Sequence, residues 1–158
     1  MSFCFEVNMN CHESDILTKI VLTIFRLNGC LIQAGDELVK SLKLTSAKWQ
    51  VMGAVALAGK PLTAPQIAVA MGITRQGVQK QVNAMVKEGL MILRPNSGHK
   101  RSPLIALSEL GARVYEKVDR IWVHWANQLA TGIPDHDLLE TLNTLEKIRE
   151  RLVNNARG

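Results

Sequence analysis

Arg75, Gln76, Gln79, Lys80, Asn83 and Lys87 recur at helical spacing within MGITRQGVQKQVNAMVKEGL (71–90), and no carboxylate stands among the six. Amide and cationic side chains on one helix face suit one chemistry well. A mid-helix lysine can reach guanine O6 and N7, and flanking glutamines can pair with the donor and acceptor edge of adenine. The plain alternative is a solvated helix face with no partner. The apolar residues Ile73, Val78, Val82, Met85 and Val86 fall at steps that gather on the opposite side, so that side is expected to be buried. Thr74 stands where an N-cap hydroxyl accepts an orphan N–H, Ile73 and Val78 can close a hydrophobic staple, and Gly89 supplies a left-handed stop. The spacing predicts a helix over 74–88.

Charge points the same way. Between Arg75 and Arg101 lie six cations, Arg75, Lys80, Lys87, Arg94, Lys100 and Arg101, against Glu88 alone, so this segment carries a net +5, the whole formal charge of the chain. Concentrated cations gain affinity for a polyanion by releasing counterions from its phosphates.

Such a face needs a scaffold. At 158 residues and 47% hydrophobic composition the chain can bury the core of a single domain spanning 1–158. Its longest nearly apolar run, Val51 to Gly59, is well short of the roughly 20 residues that span a bilayer, and the first residues, MSFCFEVNMN, lack the basic start of a signal peptide. A cytoplasmic protein with no membrane partner is expected. Cys4, Cys11 and Cys30 form an odd set without CxxC spacing, which argues against a disulfide framework.

Upstream, Leu62, Thr63 and Gln66 in PLTAPQIAVAMG form a staple and capping box around a short helix that Gly72 ends, and a tight turn, 71–73, joins it to the next: a helix-turn-helix. Before it, Thr45 or Ser46 caps a helix with Leu44, Trp49, Met52 and Val55 facing inward, ending at Gly59. After Gly89 the period changes. The runs 90–94 and 104–107 flank the turn residues 95–98 and read as a hairpin, whose tip SGHKRS places Lys100 and Arg101 where neither can be buried. Beside a helix-turn-helix such a hairpin is a wing, with Pro103 suited to its outer edge. The winged region thus covers 45–107.

The flanks, 13–43 and 108–156, are helical. Ile16, Ile20, Ile24, Leu27, Leu31, Leu38 and Leu42 form one stripe, with slackening expected at Gly29 and Gly35. Ser108 caps a helix bearing Val114, Val118, Ile121, Trp122, Trp125 and Leu129, ended by Gly132 and Pro134, and a last helix repeats Leu138, Leu142, Leu145, Ile148 and Leu152. These stripes exceed what a small winged helix can cover, so a homodimer is expected with Ile16, Ile20, Leu142, Leu145 and Ile148 at or near the contact. The fold class is mainly α with a small β-hairpin wing.

Other chemistries find little support. There is no Gly-rich phosphate loop, HExxH, GxSxG or paired-carboxylate constellation, so no enzyme, cofactor or metal site is expected. Cys30, among Leu27, Leu31 and Ile32, reads as a small core residue, although Arg26 one turn earlier could activate a thiol. Trp122 and Trp125 read as core or dimer packing before ligand-box walls.

The segments LTSAKWQVMGAV, AMGITRQGVQKQVNAMVKEGL and RPNSGHKRSPLIALSELG together resemble the MarR family of bacterial winged-helix regulators over roughly residues 13 to 156. The resemblance implies a homodimer whose N- and C-terminal helices interlock, with recognition helices in successive major grooves of a pseudo-palindromic double-stranded DNA operator and wings at the flanking minor grooves. It also implies release by a small phenolic or anionic ligand, or by cysteine oxidation. Matched position by position, it puts Gln76, Gln79 and Lys80 at base edges, Thr63, Thr74 and Arg75 near phosphates, and Arg101 at the wing arginine. Two departures stand out. His99 replaces the acidic residue that often orients the wing arginine, and Gly77 stands where a larger residue is common. A helix glycine costs about 1 kcal/mol against alanine, which suggests close approach of a neighbouring helix or, second, of DNA. The expected function is a sequence-specific DNA-binding regulator, a repressor released by a ligand. The alternatives are a winged-helix protein-interaction module and a thiol-controlled regulator.

Overall fold

The structure, a computed structural model, describes residues 13–98 and 101–155. Cys4, Cys11, His12, His99 and Lys100 lie outside the described residues. The order of elements is α1 (Glu13–Val39), a 3-10 turn (Lys40–Leu42), α2 (Ser46–Ala58), α3 (Ala64–Met71), α4 (Arg75–Lys87), β1 (Met91–Arg94), β2 (Leu104–Leu107), α5 (Glu109–Ala130) and α6 (Asp135–Asn155). Two compact units divide within α5, between Ile121 and Trp122.

The first unit holds the buried core. Val51, Met52 and Val55 of α2, Ile67 of α3, Val78, Val82 and Met85 of α4, Met91 of β1 and Ile105 of β2 close one apolar cluster, joined by Val118 of α5. Local chemistry starts and stops each helix around it. The Thr45 hydroxyl accepts from the Lys48 N–H, that of Thr74 accepts from the Gly77 N–H at 3.0 Å, and Gln66 Oε1 reaches back to the Thr63 N–H at 2.8 Å. At the end of α4 the Gly89 N–H donates to Val86 O and the Leu90 N–H to Met85 O, with Gly89 at φ 74°. This pair of bonds satisfies carbonyls the helix would leave open, and it turns the buried Leu90 toward the hairpin.

β1 and β2 pair antiparallel, from Met91 opposite Leu107 to Arg94 opposite Leu104. The other edge of β2 is not free. The Leu62 N–H donates to Ile105 O at 3.0 Å and the Ile105 N–H returns to Leu62 O at 2.7 Å. The segment before α3 therefore adds a third, one-residue rung. Pro103 consequently sits in the connection before β2 rather than along an open outer edge.

At the junction of α1 and α2, Ser46 is buried. Its hydroxyl donates to Ile32 O at 2.7 Å, and its N–H donates to the Asp36 carboxylate at 2.6 Å. A Cβ at Gly35 would run into the Ser46 hydroxyl, so Gly35 is a contact point between helices. The slackening expected at Gly29 and Gly35 does not occur: α1 is continuous from Glu13 to Val39, and Leu42 belongs to the separate 3-10 turn. Cys30 departs from expectation as well. It is exposed in this chain, because the face of α1 that carries Leu27, Leu31 and Ile32 is itself uncovered.

Ser108 begins α5 as expected, its hydroxyl accepting from the Gly111 N–H at 2.9 Å while donating to Gly89 O at 2.6 Å. Gly111 packs directly on the Leu90 carbonyl, where a Cβ has no room. Farther along α5, burial and then Asp119 push the Tyr115 hydroxyl above its usual pKa.

In the second unit, Trp122 and Trp125 pack on each other with ring centroids 5.3 Å apart and planes tilted by 38°. Gly132, at φ 82°, ends α5. No residue of α6 is buried: Leu142 is exposed, and Leu145 and Ile148 are half-buried. No helix among the described residues is long and apolar enough to cross a membrane.

Candidate nucleic-acid interface

α4 presents its polar face to solvent as its period requires: Arg75, Gln76, Gln79, Lys80, Asn83 and Lys87 lie opposite the buried Val78, Val82 and Met85, and none of the six is buried. The Gln79 amide donates to Asn83 Oδ1 at 2.8 Å, so two of the six are held together one turn apart. Gly77 does not serve helix packing. Among the described residues a Cβ there would meet only the Thr74 hydroxyl, at 3.0 Å, with no atom of a neighbouring helix within 4 Å. The glycine leaves room for the capping hydroxyl.

The one carboxylate in the basic segment is occupied. Lys48 of α2 donates to both oxygens of Glu88, at 2.6 and 2.8 Å. Nothing local in the sequence marks Lys48 as part of this surface.

Arg101, at the hairpin tip, comes to the same open cleft as Arg75, Gln76 and Gln79 of α4. Ala64 and Pro65 at the start of α3, and Leu93, Ser102, Pro103 and Ile105 of the hairpin, complete its walls. Two guanidinium groups and two amides thus share a lining without a carboxylate. Thr63, half-buried at the N-terminus of α3, has its hydroxyl 3.0 Å from Gln66 Oε1. Lys80, Asn83, Lys87 and Arg94 lie outside the cleft lining, farther along α4 and at the end of β1.

Asn96 is legible in the sequence only as turn chemistry. In the structure its Nδ2 donates to Ser102 O at 2.9 Å and its Oδ1 accepts from the Gly98 N–H at 3.1 Å, so one side chain bridges the tip. Among the described residues no cluster of His, Cys, Asp and Glu could hold a metal ion.

A model of the MarR family matches residues 42–102. An uncharacterized protein of Mycobacterium tuberculosis is 35% identical over 135 residues, covering 85% of this chain and 93% of that protein. Among solved structures, a mutant of MarR from E. coli complexed with operator DNA superimposes with a TM-score of 0.69 at 20% identity, covering 87% of this chain and 97% of that one. CouR from Rhodococcus jostii RHA1, bound to p-coumaroyl-CoA, gives a TM-score of 0.73 at 20% identity over 82% of this chain and 90% of its own. With the family model matching its helix-turn-helix, the chain belongs to the MarR family of transcriptional regulators.

Proposed function

We propose that this protein is a sequence-specific double-stranded DNA-binding repressor that acts as a homodimer on a pseudo-palindromic operator and is released by a small phenolic or anionic ligand. The observation that carries the reading is the cleft shared by Arg75, Gln76, Gln79 and Arg101, which combines amides able to read base edges with guanidinium groups able to hold phosphates, and which has no carboxylate to repel DNA. Lys80, the residue after Gln79 on α4, reads a base edge as well. Thr63, Thr74 and Arg75 hold backbone phosphates, and Arg94, Lys100 and Arg101 supply the charge of the wing.

Dimerisation is supported by uncovered apolar surface. Ile16, Leu17, Leu22 and Phe25 of α1 are exposed, as are Leu138, Leu139 and Leu142 of α6. Exposed apolar side chains on each of these helices are unfavourable in water and are covered most simply by a second copy. For the ligand, the support is the Rhodococcus relative, whose bound p-coumaroyl-CoA is both phenolic and anionic.

Selection of bound sequences from a random duplex pool tests the reading. A two-fold symmetric site is the expected product. Recovery of no sequence would refute it in favour of a winged-helix protein-interaction module.

A further inference from the structure

We propose that Asn96 is the positioning residue of the wing, closing the tip so that Arg101 is presented to DNA; the inference rests on the DNA-binding reading above. The connection from Arg94 to Leu104 is long for a hairpin, and its polar, glycine-containing sequence has no large apolar side chain with which to fold on itself. Order at the tip must come from hydrogen bonds. Asn96 supplies two from one half-buried amide: its donor takes the carbonyl of Ser102, and its acceptor takes the N–H of Gly98. With both ends of the amide engaged, the plane of the side chain is fixed, and the backbone on each side of residues 99–101 is tied to one point.

Ser102 is the immediate neighbour of Arg101, and both line the cleft with Arg75, Gln76 and Gln79. Fixing the Ser102 carbonyl therefore fixes the backbone from which the arginine reaches that cleft. No carboxylate stands at the tip between Asn96 and Ser102 to orient the guanidinium by charge, because position 99 is a histidine. A neutral amide acting on the backbone does the same work without placing negative charge beside DNA phosphates. Asn96 need not touch DNA. Its contribution is the conformational entropy that an unclamped tip would lose on binding.

The test uses the full chain and the duplex recovered by selection, with affinity measured for wild type, Asn96→Ala, Arg101→Ala and the double variant. Loss of the clamp is expected to weaken binding about three- to tenfold, the range of one modest hydrogen bond. In the Arg101→Ala background the same change should cost less than about twofold, because the group being positioned is gone. The unfolding midpoint should not move, since the released groups can bond to water at the tip, and the base preference read by α4 should be preserved. Equal losses in both backgrounds would overturn the proposal, as they would make Asn96 an independent contact. Wild-type affinity in Asn96→Ala would overturn it too. Failure of the wild type to bind any duplex would remove the DNA-binding reading itself, whereas intact wild-type binding with an unaffected Asn96→Ala would defeat this inference alone.

Discussion

Lys48 and Glu88, forty positions apart in the chain, form an ion pair in which the ammonium group lies 2.6 and 2.8 Å from the two carboxylate oxygens. It ties α2 to the C-terminal end of α4, and it neutralises the one acidic side chain of the basic segment. The lysine side chain is only 15% exposed and the glutamate 43%, so solvent screens the pair incompletely.

Lys48→Met should therefore lower stability by about 1 kcal/mol, between the worth of a surface pair and the cost of orphaning a buried charge. Glu88 would be left unpaired at a helix C-terminus, where the open carbonyls already repel it. Adding Glu88→Gln should recover part of the loss. Urea unfolding measures both, and a Lys48→Met midpoint equal to that of the wild type would show that the pair contributes nothing.

Base-edge and phosphate contacts should fail differently. Lys80→Ala is expected to cost about 1 to 3 kcal/mol on the operator and to relax preference at one base position per half-site. Arg101→Ala should weaken binding to many sequences and reduce the salt slope by about one ion per subunit. Titrations at several salt concentrations on operator and scrambled duplexes separate the two. Equal loss of sequence preference in both variants would contradict the division.

Light scattering at micromolar concentration should give twice the 17.5 kDa chain mass. The two recognition helices should then stand about 34 to 36 Å apart, so footprints should show half-sites about 10 base pairs centre to centre. Replacing the exposed Ile16 and Leu142 by aspartate should shift the mass toward one chain. A monomer in the wild type would rule out the dimeric reading.

Cys30 is exposed on α1, one turn after Arg26, so burial offers no argument against a thiol signal. The small-molecule reading nonetheless requires that a protein with Cys4, Cys11 and Cys30 changed to Ser bind its operator and still release it with the inducer. Retained binding with the response abolished, reproduced by Cys30→Ser alone, would make the signal a thiol.

Gly111→Ala should destabilise the winged region by about 2 kcal/mol or more, because the new Cβ would occupy the place of the Leu90 carbonyl oxygen, which is backbone and has no rotamer by which to move. Thermal unfolding reads the effect. An unchanged midpoint would mean that α5 shifts freely away from Leu90.

The sequence by itself determined the parts whose signals are local. The buried stripe of α4, the Thr74 cap, the Gly89 stop, the Leu62–Gln66 start of α3 and the Ser108 cap each depend on residues within a few positions of one another, and each is found in the structure. The outward set on α4 follows from the same period, since placing Val78 and Val82 in the core leaves Gln79, Lys80 and Asn83 outside. Tertiary structure alone decided what depends on the path of the chain: the Leu62–Ile105 rung, the Lys48–Glu88 pair, the contact of Gly35 with Ser46, and the meeting of Arg101 with Arg75 and the α4 amides. A glycine in a helix signals close approach or freedom alike, and only the neighbours showed that Gly35 faces α2 whereas Gly77 faces its own cap. Cys30 failed for the same reason: an apolar stripe predicts that a face is to be covered, and which surface covers it is set by elements far along the chain or by another molecule.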